Sequence, residues 1–173
     1  MAVVFDLFAE ESGDWQLEPD CALPPTLRLD APFASADVGP PERPPENGAM
    51  RLLFDDGLPT PHAERLTEES TRSLLAFMYR PKNRDEMLAF ERRIEPRYQD
   101  FYAELGIFYA GVFDVPALSG PYLGEILFFA RNRPEAQHLM DTSEAAADIA
   151  TIEDECRALQ DRDQPRYRFW LTR

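Results

Sequence analysis

Glu125 has the chemically most suggestive setting in this chain. It stands in the extended segment 122–130 (YLGEILFFA), with Leu123, Leu127 and Phe129 on its own alternation. A carboxylate on an apolar strand face is costly unless it is paired. One reading is a carboxyl with a raised pKa, acting as general base or orienter in a pocket. The other is a structural ion pair or hydrogen bond, with Arg80 or Arg168 as partner. Arg168 alternates with Trp170 in the closing segment 166–172 (RYRFWLT), and Tyr79 lies near the end of 73–80 (SLLAFMYR). Aromatic rings beside a guanidinium could stack a planar ligand and hold its oxyanion or carboxylate; the same residues also build ordinary cores and dimer seams. Tyr109 and Tyr122 offer hydroxyls to a substrate carbonyl, or simply fill the core. His138, in Gln137-His138-Leu139-Met140, is an acid or base near neutral pH, or a surface residue.

Other chemistries lack their parts. Cys21 and Cys156 form no CxxC pair, and His62 and His138 are far apart, so no zinc site is expected. Asp55-Asp56 lacks the spacing of a calcium loop. No GxGxxG, P-loop or GxSxG occurs, which removes the dinucleotide, nucleotide-triphosphate and α/β-hydrolase readings. The expectation is a chain with no metal and no cofactor.

The elements that must position these residues lie in 69–173. Segment 73–80 reads as a strand, apolar on both alternations. Asn83-Arg84-Asp85-Glu86 has a capping-box pattern. Met87, Phe90, Ile94, Tyr98, Phe101 and Leu105 then trace one helix face, with a kink or break expected near Glu95 because of Pro96. Segment 107–115 (IFYAGVFDV) is the second strand and 122–130 the third. Asn132-Arg133-Pro134 opens a short helix. Asp141-Thr142-Ser143-Glu144 offers another capping box, ahead of the stripe Ala145, Ile149, Ile152, Cys156 and Leu159. Segment 166–172 closes the order as β-α-β-β-α-β, an α+β, ferredoxin-like antiparallel arrangement. Both sheet faces carry large apolar residues, so something must cover the face opposite the helices.

Residues 1–68 differ in character. They hold 14 of the 32 acidic residues, 4 of the 18 basic ones and 10 of the 16 prolines. They read as an acidic, proline-rich arm with short extended pieces at 2–8, 14–17, 26–29 and 51–54 and a polyproline-type stretch at 39–45 (GPPERPP). A formal net charge of −14 argues against unaided nucleic-acid binding and against an anionic membrane surface. No window approaches the roughly 18 apolar residues of a membrane span. The start, MAVVFD, lacks the basic region of a signal peptide, and the unpaired cysteines suit a reducing compartment, so a cytoplasmic chain is expected. The Arg, Ala and Pro bias suggests a high-GC bacterial coding sequence.

The two-faced apolar sheet of 70–173 resembles the dimeric α/β-barrel superfamily, and more narrowly the antibiotic-biosynthesis-monooxygenase-like and NIPSNAP-like domains. The segments carrying the resemblance are 73–80, the helix from Asn83, 106–115, Gly120-Pro121-Tyr122-Leu123-Gly124-Glu125-Ile126 and 166–171. It implies two sheets packed face to face as a homodimer. It also implies cofactor-independent oxygenation or cyclisation of an aromatic, polyketide-like molecule in bacterial natural-product metabolism. Glu125, Arg168 and His138 would then be catalytic, with Tyr79, Tyr109, Tyr122 and Trp170 against the substrate. The haem-handling branch uses a helical histidine that is missing from the first helix here. Two other expectations stand beside this one. The first is a non-catalytic, homodimeric binding protein whose acidic arm clasps a partner. The second is a monomer whose arm covers its own sheet.

Overall fold

The computed structural model describes residues 4–6, 16–22, 49–52, 70–115, 118 and 120–173. Its elements are β1 (Val4–Asp6), β2 (Gln16–Pro19), β3 (Ala49–Leu52), β4 (Ser73–Tyr79), α1 (Arg84–Glu104), β5 (Ile107–Asp114), β6 (Leu123–Phe129), α2 (Arg133–Thr142), α3 (Ala146–Leu159) and β7 (Tyr167–Thr172). The strands form one antiparallel sheet in the order β1-β3-β5-β6-β4-β7-β2. The fold is α+β. Three expected extended pieces of the first 68 residues overlap β1, β2 and β3, and these join the sheet at its two edges. Segments 26–29 and 39–45 lie outside the described residues.

Strand β4 organises the sheet. Its register sets Leu75 opposite both Leu127 and Trp170, and Phe77 opposite Glu125 on one side and Arg168 on the other. Period-2 alternation therefore puts Leu75, Phe77, Tyr79, Glu125, Leu127, Arg168 and Trp170 on one face. The helices pack on that face: Met87, Phe90, Ile94 and Tyr98 of α1 and Ile149, Ile152 and Cys156 of α3 share a core with Leu75, Leu127 and Trp170. On the opposite face Leu74, Met78, Ile126, Phe128 and Phe169 are at most 2 % exposed within the single chain. Burying each such side chain is worth about 1.5–3 kcal/mol.

The break expected in α1 and the capping box expected at 141–144 are not found. α1 runs through Pro96 without a break, from Arg84 to Glu104. Pro96 points to solvent, and one lost backbone bond is outweighed by the continuous buried face of Phe90, Ile94, Tyr98 and Phe101 on both sides of it. The box at 141–144 is not used. α2 extends to Thr142, so Asp141 is still helical, and α3 starts after Ala145 with no side-chain cap. Asn83 does cap α1, accepting from the amides of Asp85 and Glu86 at 3.0 and 3.2 Å. Asn132 caps α2 from the amide of Glu135. Among the described residues no helix is long and apolar enough to cross a membrane.

Candidate functional site

A cleft of about 600 Å³ opens between the sheet and the helices. Phe77 and Tyr79 of β4, Phe101 and Tyr102 of α1, Ile149 of α3 and Arg168 of β7 form its walls. It adjoins a smaller pocket of about 80 Å³ that shares Phe77, Tyr79 and Tyr102 and adds Tyr98, Glu125, Cys156 and Gln160. The sheet–helix interior is thus open where β4, α1 and α3 meet, on the scale of a small-molecule site.

A backbone irregularity sits beside Glu125. The β5–β6 register runs Tyr109↔Leu127, then Val112↔Glu125, so β5 carries one residue more than β6 between those pairs. This is a β-bulge, and Gly111, at φ +105°, supplies the backbone conformation that it needs. Bulges of this kind re-aim side chains. Here Tyr109 and Val112 both reach the helix-facing core that Glu125 borders.

Glu125 is held by another acidic residue's partner, and among the described residues no arginine bonds it. The Tyr79 hydroxyl lies 2.6 Å from Glu91 Oε1 and 3.2 Å from Glu125 Oε1. Glu91 comes from α1 and is fully buried. Its Oε1 also accepts from the Cys156 thiol at 3.4 Å, and Gln160 Nε2 donates to the sulfur at 3.4 Å. Glu91 Oε2 is buried with no hydrogen-bond partner, and the Tyr109 hydroxyl is buried next to Glu125. Glu91, Glu125 and Cys156 each bring one potential ligand atom to within 4.8 Å of one another. They are the residues a cation would use here, but the Tyr79 hydroxyl already bridges the two carboxyls.

The electrostatics follow from this packing. Burial pushes the Glu125 carboxyl well above the usual carboxylate range, and the neighbouring charge of Glu91 adds to the effect. Glu91 is raised by burial as well, opposed by its hydrogen bonds from Tyr79 and Cys156. Glu95, one turn further along α1, is pushed up to about 7, chiefly by burial. Burial above all holds the hydroxyls of Tyr79, Tyr98, Tyr102 and Tyr109 in their neutral form. Burial and then Glu91 do the same for the Cys156 thiol.

The expected residues divide into two groups. Tyr79 and Arg168 line the cleft, Glu125 lines the adjoining pocket that Tyr79 shares, and Tyr109 is buried in the core beside that pocket. Arg168 lies over the Phe77 ring at 5.5 Å. It bonds Gln137 Oε1 at 2.9 Å and pairs with Asp20 at 3.2 Å, and its Nε is buried without a partner. The other group lies away from the cleft. His138 is exposed on α2. Tyr122 donates to the Pro165 carbonyl and packs on Tyr167. Trp170 is wholly buried, 5.4 Å from the Phe129 ring and under the guanidinium of Arg133.

Sequence reasoning passed over Glu91, Glu95, Tyr102, Cys156 and Gln160. Glu91, Glu95, Tyr98 and Tyr102 follow one another at spacings of 4, 3 and 4, next to the apolar stripe of α1. That spacing was the available signal for an acidic, phenolic strip turned inward, and Gly111 inside a strand pattern was the signal for the bulge. Comparison of the chain with protein-family models, with curated proteins and with solved structures gives no match.

Proposed function

We propose that the chain is a small-molecule enzyme that binds a flat, oxygen-bearing aromatic in the cleft and moves a proton at its inner end. The reaction class is cyclisation or oxygenation of a polyketide-like substrate, without a cofactor. The observation that carries this reading is the joining of an aromatic-walled cleft to a pocket whose polar end is Glu125 hydrogen-bonded to Tyr79. Phe77 and Tyr102 would face the rings. Arg168, which lines the cleft, would hold an anionic substituent beside its pair with Asp20. Glu125 would exchange a proton with the substrate in a site that is partly closed to water.

The order β5-β6-β4-β7, with the helices on one face, supports a ferredoxin-like domain over residues 69–173. The burial of the second face within one chain favours a chain that closes its own sheet over one that needs a second subunit. Light scattering at micromolar concentration separates that monomer from a face-to-face homodimer.

A tetralone carboxylate is a suitable probe of the reaction, because it pairs an aromatic ring with an enolisable ketone and an anionic group. Ligand-observed NMR should show it binding, and its α-hydrogens should exchange with deuterated solvent faster in the presence of the protein. Glu125→Gln should keep binding and lose the acceleration, whereas Arg168→Ala should weaken binding. Acceleration that survives in Glu125→Gln would contradict the reading.

A further inference from the structure

We propose that the resting site stores its proton on Glu125, with Tyr79 oriented by Glu91, so that the site acts first as an acid toward a ligand that presents an acceptor oxygen. The argument is an inventory of hydrogens. Tyr79 has one hydroxyl proton and lies within reach of two carboxyl oxygens. The 2.6 Å bond to Glu91 has the length of a hydroxyl donating to a carboxylate. The proton therefore points at Glu91. The phenolic oxygen is then left only to accept, and the 3.2 Å contact with Glu125 Oε1 needs a proton from Glu125. Without that proton, two bare oxygens would face each other 3.2 Å apart in a half-buried setting.

Glu91 is built to take the negative charge. Its Oε1 receives Tyr79 and also the Cys156 thiol, whose sulfur is itself an acceptor for Gln160, so the thiol proton is free to point at Glu91. The groups facing the pair are known from every packed element. Tyr98, Tyr102 and Glu95 come from α1, Tyr109 from β5, and Cys156 and Glu153 from α3, while Arg157 and Arg166 stand at the pocket rim. Neither arginine bonds Glu91 or Glu125. Two carboxyls joined through one phenol, with no cation bonded to either, are most stable with a shared proton.

The direction of transfer rests on the cleft being the ligand site; the place of the proton does not. A carbonyl oxygen of the ligand would take the proton of Glu125 and become a hydroxyl as its carbon bonds to an enol carbon of the same molecule. The enol hydroxyl, becoming a carbonyl again as its carbon forms that bond, would return its proton to the Glu125 carboxylate. The step balances with no oxidant and no reductant, and it selects cyclisation over oxygenation. Glu91 is a positioning residue in this scheme, since it acts through Tyr79.

The test is carboxyl-resolved ¹³C NMR of the full chain labelled at glutamate, titrated through neutral pH, alongside the infrared band of the protonated carboxyl. Glu125→Gln and Glu91→Gln assign the signals. We expect the Glu125 carbon to report a protonated group at pH 7 and to titrate above Glu91. The infrared band should diminish in Glu125→Gln and persist in Glu91→Gln. If either variant fails to fold, the order of the two midpoints in the unmodified chain still decides. A protonated Glu91 beside an ionised Glu125 would overturn the proposal. So would Zn²⁺, added alone, binding with release of the Glu125 proton and loss of that band at micromolar concentration. If Glu125 proves protonated but the tetralone carboxylate does not bind, the proton assignment stands and the cleft reading fails.

Discussion

Glu95 offers a quantitative test of the acidic strip on α1, because its surroundings differ between the folded and unfolded chain in a known direction. The side chain is 2 % exposed, Oε1 accepts from Gln99 at 3.3 Å, and Oε2 has no partner. Burial raises it from 4.5 to about 7. A carboxyl raised on folding binds its proton more tightly in the folded chain. Its stabilising effect is therefore fully present below pH 4.5 and is lost progressively up to about pH 7. That interval corresponds to roughly 3 kcal/mol. Glu95→Gln removes the ionisation and keeps an acceptor for Gln99. The variant should match the parent chain near pH 4.5 and exceed it by up to about 3 kcal/mol at pH 8. Urea unfolding at a series of pH values measures the difference, in which the other titrating groups largely cancel. At roughly 2–4 °C per kcal/mol for a chain of this size, a thermal midpoint reads it as well. A difference that stays flat from pH 4.5 to pH 8 would refute the claim that Glu95 is buried as an acid.

Other outcomes follow from single contacts. Asn83→Ala should cost about 1 kcal/mol, because the amides of Asp85 and Glu86 lose their shared acceptor; chemical unfolding checks it. Trp170→Ala should cost about 3–5 kcal/mol by opening a cavity beside Phe129, and a fully stable variant would show that this packing is wrong. Arg133→Ala should speed amide hydrogen exchange in β2, since Arg133 ties Glu18 and Asp20 to α2 at 2.7 and 2.6 Å. His138→Ala should leave ligand affinity unchanged, because the side chain is exposed on α2 and does not line the cleft.

What the sequence revealed follows from local periodicity. The strands at 73–80, 107–115, 122–130 and 166–172 and the stripe Met87, Phe90, Ile94, Tyr98 and Phe101 needed only alternation or 3.6-residue spacing to be read. The cap at Asn83 was legible for the same reason. Glu125 stood out because an acid on an apolar strand must be compensated somewhere. Its partner was hidden, since Tyr79 and Glu91 reach it through strand pairing and helix docking, neither of which leaves a mark near residue 125. Glu91 and Glu95 were hidden by their type, as a helical glutamate ordinarily faces water. The continuity of α1 through Pro96 was a contest between a local penalty and burial along the whole helix, which the local signal could not decide. Trp170 and Tyr122 were read as ligand contacts from residue type, and packing spends them on the core and on the Pro165 carbonyl.

The central claim is that the cleft leads a ligand to a proton-bearing Glu125. A co-crystal structure with a tetralone carboxylate tests it most directly. The account predicts the rings between Phe77 and Tyr102, the carboxylate on Arg168, and the ketone oxygen within hydrogen-bond distance of Glu125. A ligand seated elsewhere, or in the cleft with its ketone turned away from Glu125, would contradict it.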